Sequence, residues 1–213
     1  MAGAPSGLRE RKKRRTRERI LACARELFDA KGFAETTIPE IAEAAEVSPR
    51  TVSSYFPHKE ELVFPARDEL LEGLSAALES RGENEMATDA LRAWLVDHFV
   101  EAAAHQAHDD ELRAGDQPAH QWARELIDSD PELRAYERVL QEQAEDVIAA
   151  AVAVDLGLPA DHHLPHMVAA TTMAALDSLG REAKESSDPE QSKRLIEDAM
   201  QFVGAGVREL RGG

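Results

Sequence analysis

The sequence predicts an all-α fold in two parts, a small helix-turn-helix head followed by a larger helical bundle. Three observations carry that expectation. Apolar side chains recur at helical spacing in almost every segment from Thr16 onward, and no stretch shows the period-two alternation of a strand. Near the N-terminus, two short helices with their own capping residues are joined by a tight turn. With 213 residues and 43% hydrophobic side chains, the chain can bury a core in each part.

Residues 1–15 form a basic arm. A first helix over 16–31 follows, with Ile20, Ala24, Leu27 and Phe28 on its apolar face and Gly32 as its stop signal. The second helix opens at Thr37-Ile38-Pro39-Glu40. There Thr37 is placed to be the N-cap, Glu40 its reciprocal partner in a capping box, and Pro39 sits in the first turn, where no N–H is needed. Ile41, Ala42 and Ala45 make its inner face. Ser48-Pro49 repeats the logic for a third, short helix with Val52 and Phe56 inward, closed by Pro57. A fourth helix is expected from Lys59 to about residue 80, and the polar, glycine-containing residues 81–88 read as a loop. Five more helices are expected at about 89–108, 117–129, 131–155, 163–185 and 189–211. Their separators are Gly115-Asp116, Asp130-Pro131, Gly157-Leu158-Pro159 and Ser186-Ser187-Asp188-Pro189. The expected organisation is therefore a basic arm (1–15), a helix-turn-helix head (16–65) and a larger helical domain (66–213), with nine helices in all.

A net charge of −16 argues at first against nucleic acid, but its distribution reverses the argument. Residues 1–19 carry a net charge of +6, whereas residues 67–213 hold 13 basic and 31 acidic side chains. Screening acts over roughly 8 Å at physiological salt, so a basic end can sit on phosphate while an acidic body stays clear of it. Cys23 is the only cysteine, which excludes an intrachain disulfide. The charged N-terminus has no apolar signal region, and apolar runs such as 147–154 are far too short to span a bilayer. A cytoplasmic protein without a membrane partner is expected.

Two helices joined by a tight turn serve mainly to place the second in the major groove, where its N-terminal residues reach base edges. By position these are Pro49, Arg50, Thr51 and Ser54. Arg50 is the leading candidate among them, because a guanidinium can bond both O6 and N7 of guanine; the alternative is a surface arginine pairing with phosphate. Thr37 and Ser48 stand at helix starts, where hydroxyls and N–H groups hold a duplex in register by its phosphates. The arm residues Arg11, Lys12, Lys13, Arg14 and Arg15 add a salt-sensitive attraction to DNA, mostly nonspecific.

The residues Gly32-Phe33, Thr36-Thr37-Ile38, Glu40-Ile41-Ala42, Ala45-Glu46-Val47-Ser48, Thr51-Val52 and Tyr55-Phe56-Pro57 resemble the N-terminal signature of the TetR/AcrR family. So do Lys59-Glu60 and Leu62. The match spans about residues 16–65; beyond it the resemblance is one of helix layout, with 122–137 similar to C-terminal domains of actinobacterial members. Three positions depart from the pattern. Glu46 replaces a turn glycine and is strained if its backbone is left-handed, Ser53 replaces an aromatic, and His58 replaces a better capping residue.

The resemblance implies a homodimeric, ligand-responsive regulator, most simply a repressor released from a palindromic operator in double-stranded DNA by an unidentified small molecule. It implies phosphate contacts from Tyr55 and Lys59. It also implies a dimer interface on the last two helices. The last helix offers a seam of Ile196, Met200, Val203, Val207 and Leu210 at intervals of 4, 3, 4 and 3, which equally suits the monomer's own core. The preceding helix offers small residues, among them Ala170 and Ala174. A ligand cavity is implied between head and interface, with Trp94, His98, Trp122, Leu126, Tyr136 and Leu140 as candidate lining, and His105, His120 and Met167 as further additions; plain core packing competes for each.

No nucleophile, acid–base pair or cofactor motif suggests an enzyme, and no cofactor is expected. His162, His163 and His166 come nearest to a metal constellation, which would make a metal-responsive regulator, but a solvated histidine cluster at a loop-to-helix junction is the commoner arrangement. Asp109, Asp110 and Glu111 read as an acidic turn, and Cys23 as a core residue. An adaptor with a degenerate head is the other alternative, kept open by Glu46.

Overall fold

The computed structural model describes residues 6–100, 119–159, 161–183 and 189–212. These residues hold nine α-helices and no strand: α1 (Ser6–Lys31), α2 (Ile38–Ala44), α3 (Pro49–Tyr55), α4 (Arg67–Glu79), α5 (Ala87–Leu95), α6 (Ala119–Ser129), α7 (Pro131–Leu156), α8 (His163–Ala183) and α9 (Pro189–Gly212). A 3-10 turn, Lys59–Leu62, lies between α3 and α4, and a π-helical turn, Val96–Val100, continues α5. The part of the fifth expected helix beyond residue 100, the Gly115-Asp116 separator, the Asp109–Glu111 turn and His105 lie outside the described residues.

Three expected boundaries change. The first helix starts at Ser6 rather than Thr16, so the basic arm is its exposed N-terminal extension. The fourth helix is not continuous from Lys59; it is a 3-10 turn and then α4, with Pro65 between them. Proline has no N–H for a helix ladder and disfavours helical backbone before it. The third change is the division into compact units. The first is Met1–Arg67 together with Ala119–Glu137, the second Asp68–Pro118 together with Arg138–Gly213, whereas a cut at residue 65 was expected.

The first unit is built on the buried side chains of Ile20, Ala24, Phe28, Phe33, Ile41, Val52, Phe56 and Leu62. Ile127 of α6 and Leu133 of α7 complete this core. Trp122 of α6 stacks on Phe28 at 6.4 Å, donates from its indole N–H to Asp29, and lies under the Arg25 guanidinium. Tyr136 of α7 packs on Phe64 and accepts from Arg67. Burial outweighs the neighbouring Arg67 charge and raises the Tyr136 pKa.

The second unit has its own core, drawn from Leu74, Leu78, Leu91, Leu95, Ile148, Val152, Ala169, Met200, Val203 and Val207 among others. Met86, the N-cap of α5, has no side-chain acceptor to offer. Asp155 of α7 substitutes: it accepts from Ala87 N at 2.6 Å while Arg81 holds its other oxygen at 3.1 Å. With the Asp155 side chain 7% exposed, this ion pair is desolvated and tied to backbone, so losing one partner would strand the other. Asp130 caps α7 by accepting from Glu132 N and Leu133 N, and His162 caps α8 by accepting from Leu164 N.

Candidate nucleic-acid interface

The local chemistry of α2 and α3 fixes their ends. Thr37 and Glu40 form the reciprocal capping box, with Thr37 N donating to Glu40 Oε2 at 2.9 Å and Glu40 N donating to Thr37 Oγ1 at 3.5 Å. Lys31 lies 2.5 Å from the same carboxylate; its hydrogen bond, then those from Thr37, lower the Glu40 pKa to about 2. Ser48 caps α3 by accepting from Thr51 N at 3.0 Å, and its hydroxyl lies 2.8 Å from Thr51 Oγ1. Pro49 then occupies the first turn.

The turn between the two helices is a Schellman motif: Glu46 N donates to Glu43 O and Val47 N to Ala42 O. It requires one left-handed residue, which is Glu46 at φ 51°. The same hydrogen-bond pattern ends α7, where Leu158 N donates to Ala153 O and the left-handed residue is Gly157 at φ 64°. Glu46 thus carries a Cβ where the fold elsewhere uses glycine, so the turn stores strain without losing its geometry.

At the start of α3, Pro49 and Arg50 are exposed, as is Ser54 one turn on, while Thr51 is half-buried and tied to Ser48. Among the described residues the Arg50 guanidinium has no partner, and neither has the hydroxyl of half-buried Tyr55. Tyr55 packs its ring against the head core. The Thr37 and Ser48 hydroxyls are committed to the caps.

Lys59 departs from its expected place on phosphate. Its ammonium donates to the carbonyls of Phe33 at 3.0 Å and Thr36 at 3.2 Å and sits 4.0 Å from the Phe33 ring centroid. The Phe33 carbonyl, which also accepts from Thr36 N, and the Thr36 carbonyl both attract a cation, and the Phe33 ring face adds to that attraction. Lys59 therefore ties the 3-10 turn to the α1–α2 connection. His58, before it, provides no side-chain cap.

On the arm, Arg11, Lys12, Lys13, Arg14 and Arg15 are exposed on a helix. Arg11 bonds Gly7 O and Arg14 pairs with Glu18 at 3.6 Å. Arg17, which charge counting merges with the arm, instead donates to Pro65 O and covers Phe56. Arg25 and Asp29 of α1 carry no sequence signal of a role, yet both engage the same indole. Their partner Trp122 stands 93 residues beyond Asp29, and no local pattern announces such a pairing.

The candidate pocket lining is divided between the units. Trp122, Leu126 and Tyr136 belong to the first, where Trp122 and Leu126 pack against the head core and Tyr136 on Phe64. Trp94, His98 and Leu140 belong to the second, where Trp94 stacks on His98 at 5.2 Å and its indole nitrogen abuts Gly73. Met167 is exposed on α8, and the His120 side chain lies outside the described residues. The expected dimer seam is also corrected. Ile196, Met200, Val203 and Val207 are all buried in the second unit's own core, leaving only Leu210 of that series exposed. Ala170 and Ala174 of α8 are exposed.

Among the described residues no group of three His, Cys, Asp or Glu is arranged to hold a metal ion, and His162 is engaged in capping α8. No helix among them is long and apolar enough to cross a membrane. Burial, more than the nearby Glu26 and Glu46 carboxylates, raises the Cys23 pKa.

Two capped short helices around a Schellman turn, the second presenting an unpaired arginine at its N-terminal end, define a helix-turn-helix DNA-binding protein. Comparison with known proteins makes this specific. Residues 20–72 match the family described as "Bacterial regulatory proteins, tetR family", and residues 88–208 match the "MftR C-terminal domain". The chain belongs to the TetR family and is a DNA-binding transcriptional regulator. It is 33% identical over 177 residues to the HTH-type transcriptional regulator TcmR of Streptomyces glaucescens, covering 83% of this chain and 76% of TcmR. It is 29% identical over 203 residues to a Mycobacterium tuberculosis protein named MftR for mycofactocin biosynthesis, covering 94% and 95%. Among solved structures, SmeT, repressor of a Stenotrophomonas maltophilia multidrug efflux pump, shares the fold with a TM-score of 0.55 at 22% identity over 89% of each chain. NalD of Pseudomonas aeruginosa does so with a TM-score of 0.54 at 20% identity over 88% of this chain and 96% of NalD.

Proposed function

We propose that the protein is a homodimeric repressor that reads a palindromic operator through α3 and is released by a small molecule. The observation that carries the DNA-reading step is Arg50, an exposed guanidinium without a protein partner, on the first turn of a helix whose start is fixed by Ser48. Its fork matches guanine O6 and N7. Pro49 and Thr51 share that end of α3, Ser54 follows one turn on, and the Tyr55 hydroxyl is a side-chain candidate for phosphate. The arm residues 11–15 add electrostatic affinity that weakens with salt.

A head of this size needs a second copy to read a palindrome. The outward faces of α8 and α9 supply the contact: Phe202 is 75% exposed and Met167 59%, with Ala170, Ala174, Gly206 and Leu210 also exposed. An apolar side chain as open as Phe202 gains free energy when a second copy covers it. A ligand with different affinity for the DNA-competent and incompetent dimers shifts their populations by no more than that difference. Footprinting on the DNA upstream of the protein's own gene tests the reading. Wild type is expected to protect a palindrome, and Arg50→Ala to lose roughly 10- to 100-fold in specific affinity while keeping nonspecific binding. Unchanged protection by the variant would remove Arg50 from the base readers.

A further inference from the structure

Helix α1 runs unbroken from Ser6 to Lys31, yet residues 7–15 are all exposed and Ile20 is its first buried residue. Residues 6–16 therefore form a helical extension about 16 Å long. The rotation of this extension about its axis is fixed by Arg17, which donates to Pro65 O and covers Phe56, the C-cap residue of α3. Successive helical residues turn by about 100°, so Lys13 and Arg9, four and eight positions before Arg17, continue the face that carries Arg17, Ile20 and Ala24. Arg11 and Arg15 fall on the opposite face, where Arg11 bonds back to Gly7 O. Lys12 and Arg14 lie between the two faces, and Arg14 pairs with Glu18. Glu10 flanks the face of Lys13.

We infer that Arg9 and Lys13 grip the phosphate backbone at the edge of the major groove that α3 enters, as one face of a rigid helical bracket. The inference rests on the reading of α3 as the groove helix. A seven-residue helix is about 10 Å long and the major groove roughly 12 Å wide, so the ends of α3 stand near the backbones that bound the groove. Arg17 fastens α1 to the Phe56 end of α3, beside the Tyr55 hydroxyl, and the face beyond Arg17 is the one carried along that strand. Arg9 and Lys13 are exposed there, and neither has a hydrogen bond or ion pair among the described residues, so both can donate to phosphate oxygens. A helix of roughly 10–12 Å diameter does not enter a minor groove roughly 6 Å wide, which leaves the backbone as its target. Arg11 and Arg15 point away and add only a diffuse, screened attraction. A flexible tail responds to its total charge, whereas a helix of fixed phase responds to which face loses charge.

The test compares two full-length variants that lose the same charge from opposite faces, Arg9→Gln with Lys13→Gln and Arg11→Gln with Arg15→Gln. Affinity for duplex DNA is measured across a salt titration, on the DNA upstream of the protein's own gene and on an unrelated duplex of equal length. Each phosphate contact contributes roughly 0.9 to the slope of log affinity against log salt, so the near-face pair is expected to lower the slope by about 1.8. Between about 50 and 200 mM salt, wild type then loses about tenfold more affinity than this variant. The far-face pair is expected to change the slope by less than half as much. Glu10→Gln removes the carboxylate beside the near face and is expected to tighten binding. Two alanines inserted after Thr16 bring Arg15 and Arg11 to four and eight positions before Arg17, and in that background the Arg11 and Arg15 substitutions are expected to become the damaging pair. Unchanged far-UV circular dichroism shows that the helix is retained. Near-face substitutions that cost no more than far-face ones, or an insertion that leaves the ranking of the two pairs as it was, would overturn the proposal. A face difference of equal size on both duplexes, with no preference for the upstream DNA, would uphold the bracket and count against the operator reading alone.

Discussion

Replacing Glu46 by glycine is expected to stabilise the first unit. A non-glycine residue in the left-handed region carries a cost of roughly 1–2 kcal/mol, which glycine does not. Against this, glycine gives the unfolded chain extra freedom, worth about 0.4–1 kcal/mol. The difference is a gain of about 0.8 kcal/mol. With a urea slope of about 2 kcal/mol/M, that moves the midpoint upward by about 0.4 M. The two tryptophans make the measurement selective: Trp122 packs on Phe28 in the first unit, while Trp94 lies in the second. In a Trp94→Phe background, urea unfolding followed by fluorescence reports on the head. Glu46→Ala is the control, since it removes the same carboxylate but keeps the Cβ and is expected to leave the midpoint within about 0.1 M. Equal stabilisation by alanine would show that charge rather than backbone is responsible, and destabilisation by glycine would refute the strain argument outright.

Other perturbations separate competing roles. Lys59→Met is expected to cost about 2 kcal/mol of stability through its lost charged hydrogen bonds, while the slope of log affinity against log salt stays unchanged; a slope reduced by about one would restore Lys59 to phosphate. Because the Glu40 pKa is lowered from 4.5 to about 2, its stabilising contribution is full above the ordinary value and is lost as pH falls through about 2. The melting difference between wild type and Glu40→Gln is accordingly expected to be present at pH 6 and to shrink steadily below about pH 4.5; a pH-independent difference would contradict it. Phe202→Glu is expected to convert the proposed dimer to monomer in light scattering while leaving helicity intact, and a persistent dimer would move the interface elsewhere.

What was legible in the sequence, and what was not, follows from the range of the interactions concerned. Capping is local chemistry, so Thr37, Glu40 and Ser48 announced their roles within four residues, and Glu46 could be flagged from its position in the turn. Periodicity is also local, and it identified the apolar face of α9 through Ile196, Met200, Val203 and Val207. It did not say which surface would meet that face, because a 4-3-4-3 spacing suits a monomer core and a dimer seam equally. Trp122 and Tyr136 suggest pocket lining for the same reason: their helical phase is visible in the sequence, but their partners Asp29, Phe28 and Phe64 are remote in it. The break at Pro65 is local backbone chemistry too, but helical spacing on both sides of the proline masks it.

The docking of α6 and the start of α7 onto Phe28 makes the DNA-binding unit discontinuous along the chain. The head is therefore not a portable module. A chimera that transplanted residues 1–67 alone would leave the Phe28 face without Trp122, Ile127 and Leu133, and would place an apolar surface in water where this protein has a finished core. Exchange of specificity among relatives is better sought by replacing single residues on α3, whose exposed side chains take no part in that core, than by cutting at the end of the helix-turn-helix.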